Sequence, residues 1–203
     1  MKCNRLISLI LLSHLFFFSS CNSRKDNSAK DANPVQEAVR IPKPLPSVSI
    51  HEAALNGQSG QVAALLEAGT DVNLKDREGR TPLMYASYNG HAEVMKSLVE
   101  KGADINLQDI YGRSALMMAS SGPYPAAVKY LLEHGANPNL TDREEKFTAL
   151  MYAAAEGQLD IVKLLLVHGA DPGMKDVDGD NAVTFAGNNG HTEVVSLLKS
   201  VKN

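Results

Sequence analysis

The chain has 203 residues, of which 44% are hydrophobic and 21% charged, and its formal net charge is -3. Residues 48–203 carry 13 basic and 20 acidic side chains, a net charge of -7, and such an acidic segment lacks the basic stripe that nucleic-acid binding requires. The two cysteines, Cys3 and Cys21, lie near the N-terminus, which excludes a disulfide framework in the rest of the chain.

Residues 1–20 have the form of a signal peptide. Two basic residues precede an apolar run at residues 6–18, which is shorter than the roughly 20 residues of a membrane span but suits a secretory signal. Two serines then lead directly into Cys21. This arrangement resembles a bacterial lipoprotein signal, although that family usually has Leu where this chain has Phe18. The resemblance implies cleavage before Cys21 and its acylation; the alternative is an ordinary signal peptide with an incidental cysteine.

The segment after Cys21 is expected to act as a flexible tether. Residues 22–47 are polar at first, and prolines recur in residues 41–46, which favours an extended chain. Acyl chains on Cys21 would hold the protein at a membrane, because each buried methylene contributes about 0.8 kcal/mol. Asn22 stands where many inner-membrane lipoproteins have Asp, so the resemblance favours the outer membrane, facing the periplasm, over the inner membrane. We therefore expect a lipid-anchored protein of the bacterial cell envelope.

A 33-residue period runs through the rest of the chain. One apolar position recurs at this spacing, with a single step of 34, as Ile50, Leu83, Leu116, Leu150 and Val183. Glycines keep the same period, as Gly69, Gly102, Gly135 and Gly169. A fixed period of this size is typical of stacked helix-turn-helix units, none of which can bury its apolar face alone. Function is therefore expected on a surface of the stack and not in a pocket.

Each unit carries the signals of two helices. The residues that can cap the first helices are Thr81, Ser114, Thr148 and Asn181. A side-chain oxygen at such a position accepts a backbone N–H that would otherwise lack a partner. Each second helix has an apolar stripe at helical spacing, as in Val62, Leu65 and Leu66, and a glycine then ends it. A polar turn, such as residues 71–80, projects before the next cap.

The units resemble ankyrin repeats, whose pattern combines Asp-x-x-Gly-x-Thr-Pro-Leu-His, Gly-His, Val-x-x-Leu-Leu and Gly-Ala-Asp-x-Asn. The likeness is clear in residues 81–86, Thr-Pro-Leu-Met-Tyr-Ala, and in residues 102–106, Gly-Ala-Asp-Ile-Asn. The resemblance implies an all-α solenoid of about five helix-turn-helix units with a concave binding face. Repeats 1 to 5 are placed at about residues 48–76, 77–109, 110–142, 143–176 and 177–203.

Several positions depart from the family pattern. The usual histidine of the first helix is kept as His51, and its replacements are Met84, Met117, Met151 and Thr184. The methionines should give apolar packing in place of a polar bridge between repeats. Residues 121–125 replace the Gly-His turn of repeat 3, and residues 143–147 contain one extra residue in repeat 4. Because loop insertions in solenoids often lie on the binding face, these two places are expected to contribute to selectivity.

Large side chains recur at one position of the first helices, which in this family faces the concave groove. The candidate residues of this face are Tyr85, Tyr88, Met118, Tyr152 and Phe185. The candidate residues of the rim are Arg77, Glu78, Arg80, Ile110, Tyr111, Arg113, Glu144, Glu145 and Lys146, with Val177 and Asp178 further along. Aromatic anchors on a rigid surface are typical of binding hot spots. The alternative is that the aromatic rings only pack between helices and that the turn charges are only solvated.

No catalytic motif is recognisable in the chain. The histidines beyond the signal occupy positions of the repeat pattern, and no second metal ligand recurs at helical spacing near any of them. Residues 176–181 begin like a calcium loop, but Asn181 stands where that loop needs Gly and Gly187 where it needs Glu. We therefore expect neither enzymatic activity nor a cofactor or metal.

The expected function is the capture of a protein partner in the cell envelope by a lipid-anchored repeat array that is monomeric without its partner. One version is an inhibitor or immunity-type protein that holds a toxic enzyme at the envelope. The alternative is an assembly scaffold that links the membrane to a larger complex. The sequence names no partner, because proteins of this family share a framework and differ at the surface.

Overall fold

The structure is a computed structural model, and it describes residues 48–201. The expected signal peptide, Cys21 and the tether lie outside the described residues. Ten helices follow one another in this part of the chain, two for each repeat: α1 (Ile50–Leu55), α2 (Ser59–Glu67), α3 (Pro82–Tyr88), α4 (Ala92–Glu100), α5 (Ala115–Ser120), α6 (Pro125–Glu133), α7 (Ala149–Ala155), α8 (Leu159–Val167), α9 (Ala182–Asn188) and α10 (Thr192–Ser200). This order confirms the predicted all-α solenoid of five helix-turn-helix units. None of the helices described between residues 48 and 201 is long and apolar enough to cross a membrane.

The first helices begin at the residues predicted to cap them. Each capping side chain has an extended backbone and accepts the N–H of the residue three positions later, at distances of 3.2 to 3.4 Å. The caps are Thr81, Ser114, Thr148 and Asn181. Ser49 does the same for α1, where it accepts the N–H of Glu52. Polar signals read from the sequence therefore fix where each repeat begins.

The methionines that replace the usual histidine are buried behind these caps. Met84, Met117 and Met151 are 1 to 2% exposed, which confirms the expected apolar packing. The structure adds a polar detail, since the sulfur of Met84 lies 3.4 Å from the backbone N of Thr81. The sulfur of Met117 lies 3.5 Å from the backbone N of Ser114. A thioether is a weak acceptor, so it partly supplies the partner that a Glu or Gln supplies in a capping box.

The helices form two layers that share one continuous core. First helices pack against neighbouring first helices, and second helices against neighbouring second helices. The equivalent residues of the inner layer, Ile50, Leu83, Leu116 and Leu150, are 1 to 2% exposed. A matching row in the outer layer, Leu65, Leu98, Leu131, Leu165 and Leu198, is buried in every repeat. Each row removes apolar surface from water only when the repeats are stacked, so the stack stabilises every unit within it.

A side-chain clamp joins repeat 1 to repeat 2 and repeat 4 to repeat 5. At the first junction the carbonyl oxygen of Leu55 lies 2.8 Å from Asn89 Nδ2 and 2.9 Å from His91 Nε2. At the last junction Asn189 and His191 make the same contacts with the carbonyl of Ala155, at 2.7 and 3.0 Å. Carbonyls at a helix end lack an intrahelical donor, and these clamps supply one from the next repeat.

Repeat 3 has no such clamp with repeat 2 among the described residues. Tyr124 occupies the position of His91, and its ring lies directly over Gly90. At its own junction the ring therefore fills the space that the imidazole of His91 fills over Gly57 at the first junction. The residues that replaced the expected Gly-His turn keep the shape of the junction but exchange hydrogen bonds for an aromatic contact.

Candidate functional site

Four turns project between successive repeats, and each begins with an aspartate. These projecting turns, named first to fourth, are residues 76–80, 109–113, 142–147 and 176–180. In the second turn, Asp109 Oδ1 accepts the backbone N–H groups of Tyr111 and Arg113, both at 2.9 Å. The aspartates of the first and fourth turns make the same pair of bonds, while Asp142 accepts the N–H of Glu145 in the longer third turn. An aspartate used in this way fixes the backbone of its turn.

Backbone hydrogen bonds join the projecting turns side by side. The N–H of Ile110 donates to the carbonyl of Glu78 at 2.9 Å, and that of Arg143 donates to the carbonyl of Tyr111 at 2.8 Å. The N–H of Val177 donates to the carbonyl of Glu145 at 3.1 Å. The rim residues predicted from the sequence are therefore brought together in one continuous row, and this row is held in place before any partner binds.

Two of the predicted groove tyrosines anchor the turns through their hydroxyl groups. The hydroxyl of Tyr85 donates to Asp76 Oδ2 at 2.7 Å, and that of Tyr152 donates to Asp142 Oδ2 at 3.2 Å. Both rings are half-buried, and each makes an edge contact with another ring, His51 for Tyr85 and Phe147 for Tyr152. The hydroxyl groups of these tyrosines are therefore already bonded within the protein.

Burial and hydrogen bonding shift the pKa values of these groups. Burial and the neighbouring carboxylate of Asp142 raise the pKa of Tyr152. Burial and the hydrogen bond to Asp76 raise the pKa of Tyr85. Burial acts to raise the pKa of Asp76, but hydrogen bonds from the Tyr85 hydroxyl and from the backbone N–H groups of Arg80 and Glu78 outweigh it and lower that pKa. The charged form of Asp76 is thus favoured by the fold.

Replacing Tyr85 by phenylalanine is expected to lower the free energy of unfolding by about 1 kcal/mol near neutral pH, the usual contribution of such a hydrogen bond. The folded-state pKa of Asp76 lies below its unfolded value of about 3.9, so this contribution is present above that pH and is lost as the pH falls through the folded-state pKa. Urea unfolding at several pH values should show that the difference in free energy of unfolding between the wild type and the variant becomes smaller below about pH 4. Tyr88→Phe, at an exposed ring, is the matched control, and a deficit independent of pH would contradict the assignment.

The remaining groove candidates differ in how much surface they offer. Tyr88 is 37% exposed, and Met118 is half-buried. Phe185 is only 3% exposed, so it offers almost no surface to a partner. The ring of Phe147 covers it, with ring centroids 4.9 Å apart. Phe185 therefore belongs to the packing between repeats, which was the alternative explanation for this row of large side chains.

A buried ion pair lies at the base of the second turn. Asp109 is 1% exposed, and its Oδ2 lies 2.9 Å from Arg113 Nε and 2.8 Å from Arg113 Nη2. The guanidinium of Arg113 also stacks on the ring of Tyr111, 4.7 Å from the ring centroid. Arg80 forms an ion pair with Glu78, and its Nε is 3.9 Å from Asp109 Oδ2. Three predicted rim residues, Glu78, Arg80 and Arg113, are thus partly committed to contacts within the protein.

The other rim residues point outward. Arg77, Glu144 and Lys146 are exposed, Ile110 is 50% exposed, and Glu145 is half-buried. Lys146 has a φ of 63° at the place where the other turns have a glycine, and it is the one residue other than glycine with a positive φ among residues 48–201. Such a backbone conformation costs on the order of 1 kcal/mol and often marks a functional position.

Sequence reasoning missed Asp109, Arg143 and Phe147. The repeat pattern marks Asp109 only as part of a polar turn, and nothing local in the sequence shows that it is buried. Arg143 occupies the position of Arg77 and Ile110 in its turn, and this equivalence was a usable signal. Its Nη1 donates to the carbonyl of Ile110 at 3.0 Å. The position of Phe147 depends on the extra residue in its turn, which the period alone does not place.

The histidines of the described residues bind backbone carbonyls. His51 Nε2 lies 2.8 Å from the carbonyl of Leu74, and the Nδ1 atoms of His134 and His168 each lie 2.8 Å from the carbonyl four residues earlier. Among the described residues no cluster of three or more His, Cys, Asp or Glu side chains is arranged to hold a metal ion.

Comparison with known proteins gives matches to two family models. The model described as ankyrin repeats (3 copies) matches residues 50–142 and 150–203. A second model, ankyrin repeats (many copies), matches residues 119–166. No curated protein matches the chain significantly.

Proposed function

The chain belongs to the ankyrin repeat family, whose members generally serve protein–protein interaction, and from this premise we propose that it is a lipid-anchored, non-catalytic module that captures a protein partner in the bacterial cell envelope. The partner contacts the concave groove and the projecting turns. Capture of this kind suits an inhibitor or immunity-type protein, which must hold its target at a fixed place. A rigid, repeated surface on a tether needs no catalytic group for that role.

The observation that carries the proposal is the distribution of exposed apolar side chains. Six large apolar residues of the described part are exposed; Ile110, Tyr111 and Val177 lie on the projecting turns, and Tyr88 is the last residue of α3. Exposed apolar side chains on neighbouring turns are typical of an interaction site. The aromatic and aliphatic residues, with arginines beside them, have the composition of a binding hot spot.

Capture of the native partner by crosslinking in intact cells tests this surface. Alanine at Tyr88, Ile110 and Tyr111 together is expected to reduce the crosslinked product at least about tenfold, because anchors of this kind each contribute more than about 1 kcal/mol. Val167→Ala is the matched control, since Val167 is 83% exposed at the end of α8, in the outer layer. Equal loss of product with both variants, or no loss with the triple variant, would show that the partner binds elsewhere.

Cys21 is expected to carry the membrane anchor. Cys21→Ser should abolish incorporation of a labelled fatty acid into the protein, because it removes the cysteine that is expected to carry the acyl chains. Cys3→Ser is the matched control, since it removes the other cysteine of the chain but leaves the expected cleavage site intact. Mass spectrometry of the N-terminal peptide would show the acylated cysteine directly, and an unmodified Cys21 in the mature protein would contradict this part of the proposal.

A further inference from the structure

The first residue after each turn aspartate forms a row with alternating chemistry. The row consists of Arg77, Ile110, Arg143 and Val177, and all four side chains are exposed. Arginine and aliphatic residues therefore alternate along the tips of the four projecting turns. We name these four residues the tip row. No buried contact requires this alternation, because the side chains stand outside the core.

The tip row is held rigidly. Ile110 is fixed from both sides, since its N–H donates to Glu78 and its carbonyl accepts from Arg143 Nη1. Val177 is fixed by the bond from its N–H to the carbonyl of Glu145. A side chain that is already ordered loses little conformational entropy on binding. Ile110, Arg143 and Val177 can thus act as fixed contact points for a partner.

Charge is distributed unevenly along the projecting turns. All four arginines of residues 48–201 lie in the first three turns: Arg77, Arg80, Arg113 and Arg143. The acidic side chains of these turns are largely committed inward, as Asp109 and Asp142 are 1 and 6% exposed. The exposed charged residues that remain there are Arg77, Arg143, Lys146 and Glu144, three basic and one acidic. Counted in full, these turns carry five basic and six acidic side chains, so the exposed positive charge is confined to Arg77, Arg143 and Lys146.

We propose that the tip row binds a protein segment in which carboxylate side chains alternate with apolar side chains, an inference that rests on the proposed function and names the chemistry of its partner. A guanidinium binds a carboxylate through two parallel hydrogen bonds, and Arg77 and Arg143 are placed for two such carboxylates. Ile110, which lies between the two arginines in the row, and Val177, which follows Arg143, contact the apolar side chains of the segment. The segment runs along the turns and not down the groove.

A phosphate backbone fits this surface less well than a protein segment. Phosphates would leave Ile110 and Val177 without an apolar partner. The net charge of -7 on residues 48–203 also repels a polyanion at long range. At physiological salt the repulsion is screened beyond about 8 Å, so a short acidic segment still gains from the two arginines at contact distance.

The probe is a peptide display library in which every position is randomised. It is screened against the full chain, which is kept in detergent and immobilised through its N-terminus. Selected peptides are expected to be enriched in Asp or Glu alternating with Leu, Ile, Val or Phe. Arg77→Gln and Arg143→Gln should each weaken the best peptide about tenfold, the usual loss for a charge-assisted hydrogen bond. Ile110→Ser should weaken it as well. Lys96→Gln, which removes an exposed positive charge from α4, is the matched control and should leave binding unchanged.

Three results would overturn the inference. Selected peptides could be basic or lack apolar residues, they could bind equally well to the tip-row variants, or no peptide could be enriched. If peptides tolerate the tip-row changes but are lost on Tyr88→Ala, the groove alone is the binding surface, and the proposed function stands while this inference fails. If native-partner capture in cells survives both sets of changes, the proposed function fails as well.

Discussion

Replacing Asp109 by alanine is expected to destabilise the array by about 3 kcal/mol, because it leaves a partly buried arginine without its counter-charge. Asp109 is 1% exposed and holds Arg113 through two contacts of 2.8 and 2.9 Å to Oδ2. The same side chain also accepts the two backbone N–H groups that shape the second turn. Urea unfolding measures the loss.

Two further variants separate the contribution of the ion pair to stability from that of the backbone hydrogen bonds in the turn. Asp109→Asn keeps an oxygen for the backbone N–H groups and is expected to lose about half as much stability as Asp109→Ala. Asp176→Ala removes the equivalent turn aspartate, whose Oδ1 accepts two backbone N–H groups but which has Asp180 where Arg113 stands in the second turn. That change should cost about 1 kcal/mol. Equal losses for Asp109→Ala and Asp176→Ala would show that the ion pair contributes nothing.

Replacing Gly112 by alanine is expected to cost about 2 to 4 kcal/mol and to disturb the contact between the second and third turns. Gly112 has a φ of 81°, which disfavours any side chain. A Cβ there would also lie 2.7 Å from the backbone N of Arg143, and a backbone atom cannot move aside as a flexible side chain can. Because the N–H of Arg143 donates to Tyr111, the clash would open the row of turns and weaken partner capture.

Substitutions at two other glycines separate the cost of the backbone conformation from the cost of the steric clash. Gly102 has a φ of 87°, but a Cβ added there would meet no heavy atom within 4 Å, so Gly102→Ala measures the cost of the backbone conformation alone, about 1 kcal/mol. Gly60 lies within α2 in open space without a positive φ, and Gly60→Ala should stabilise the array by about 0.5 to 1 kcal/mol. A loss for Gly112→Ala no greater than that for Gly102→Ala would rule out the clash.

The framework was predictable because it depends on local signals that recur. Caps such as Thr81, the glycines that end the second helices and the apolar rows all act within one repeat or between equivalent positions. Five copies of the same signals confirm one another, so an irregular copy does not obscure the period. The backbone bonds of the turn aspartates belong to the same class, since the Oδ1 atoms of Asp76, Asp109 and Asp176 bond to N–H groups at most four positions away.

The site was less predictable because it depends on which side chains meet across repeats. Phe185 occupies the repeat position of Tyr85 and Tyr152. The ring of Phe147, from the longer third turn, nevertheless packs against Phe185 and buries it. The same equivalence could not show that the hydroxyls of Tyr85 and Tyr152 are already bonded to aspartates. The burial of Asp109 likewise depends on Arg80 and Arg113 from two different turns. The repeat period predicts which residues occupy equivalent positions, whereas the exposure of those residues depends on the lengths of neighbouring loops.

The Asn–His clamp occurs at the first and last junctions of the described array and is replaced by an aromatic contact between repeats 2 and 3. In a one-dimensional stack the free energy of each junction enters separately, so junctions of unequal strength divide the stack into segments that open independently. The middle junctions have bonds of their own, since Asn106 Nδ2 donates to the carbonyl of Gly135 and Asn139 Nδ2 to that of Gly169, both at 3.0 Å. The junctions therefore differ in chemistry, and a substitution at one of them is expected to weaken that junction and leave the others intact.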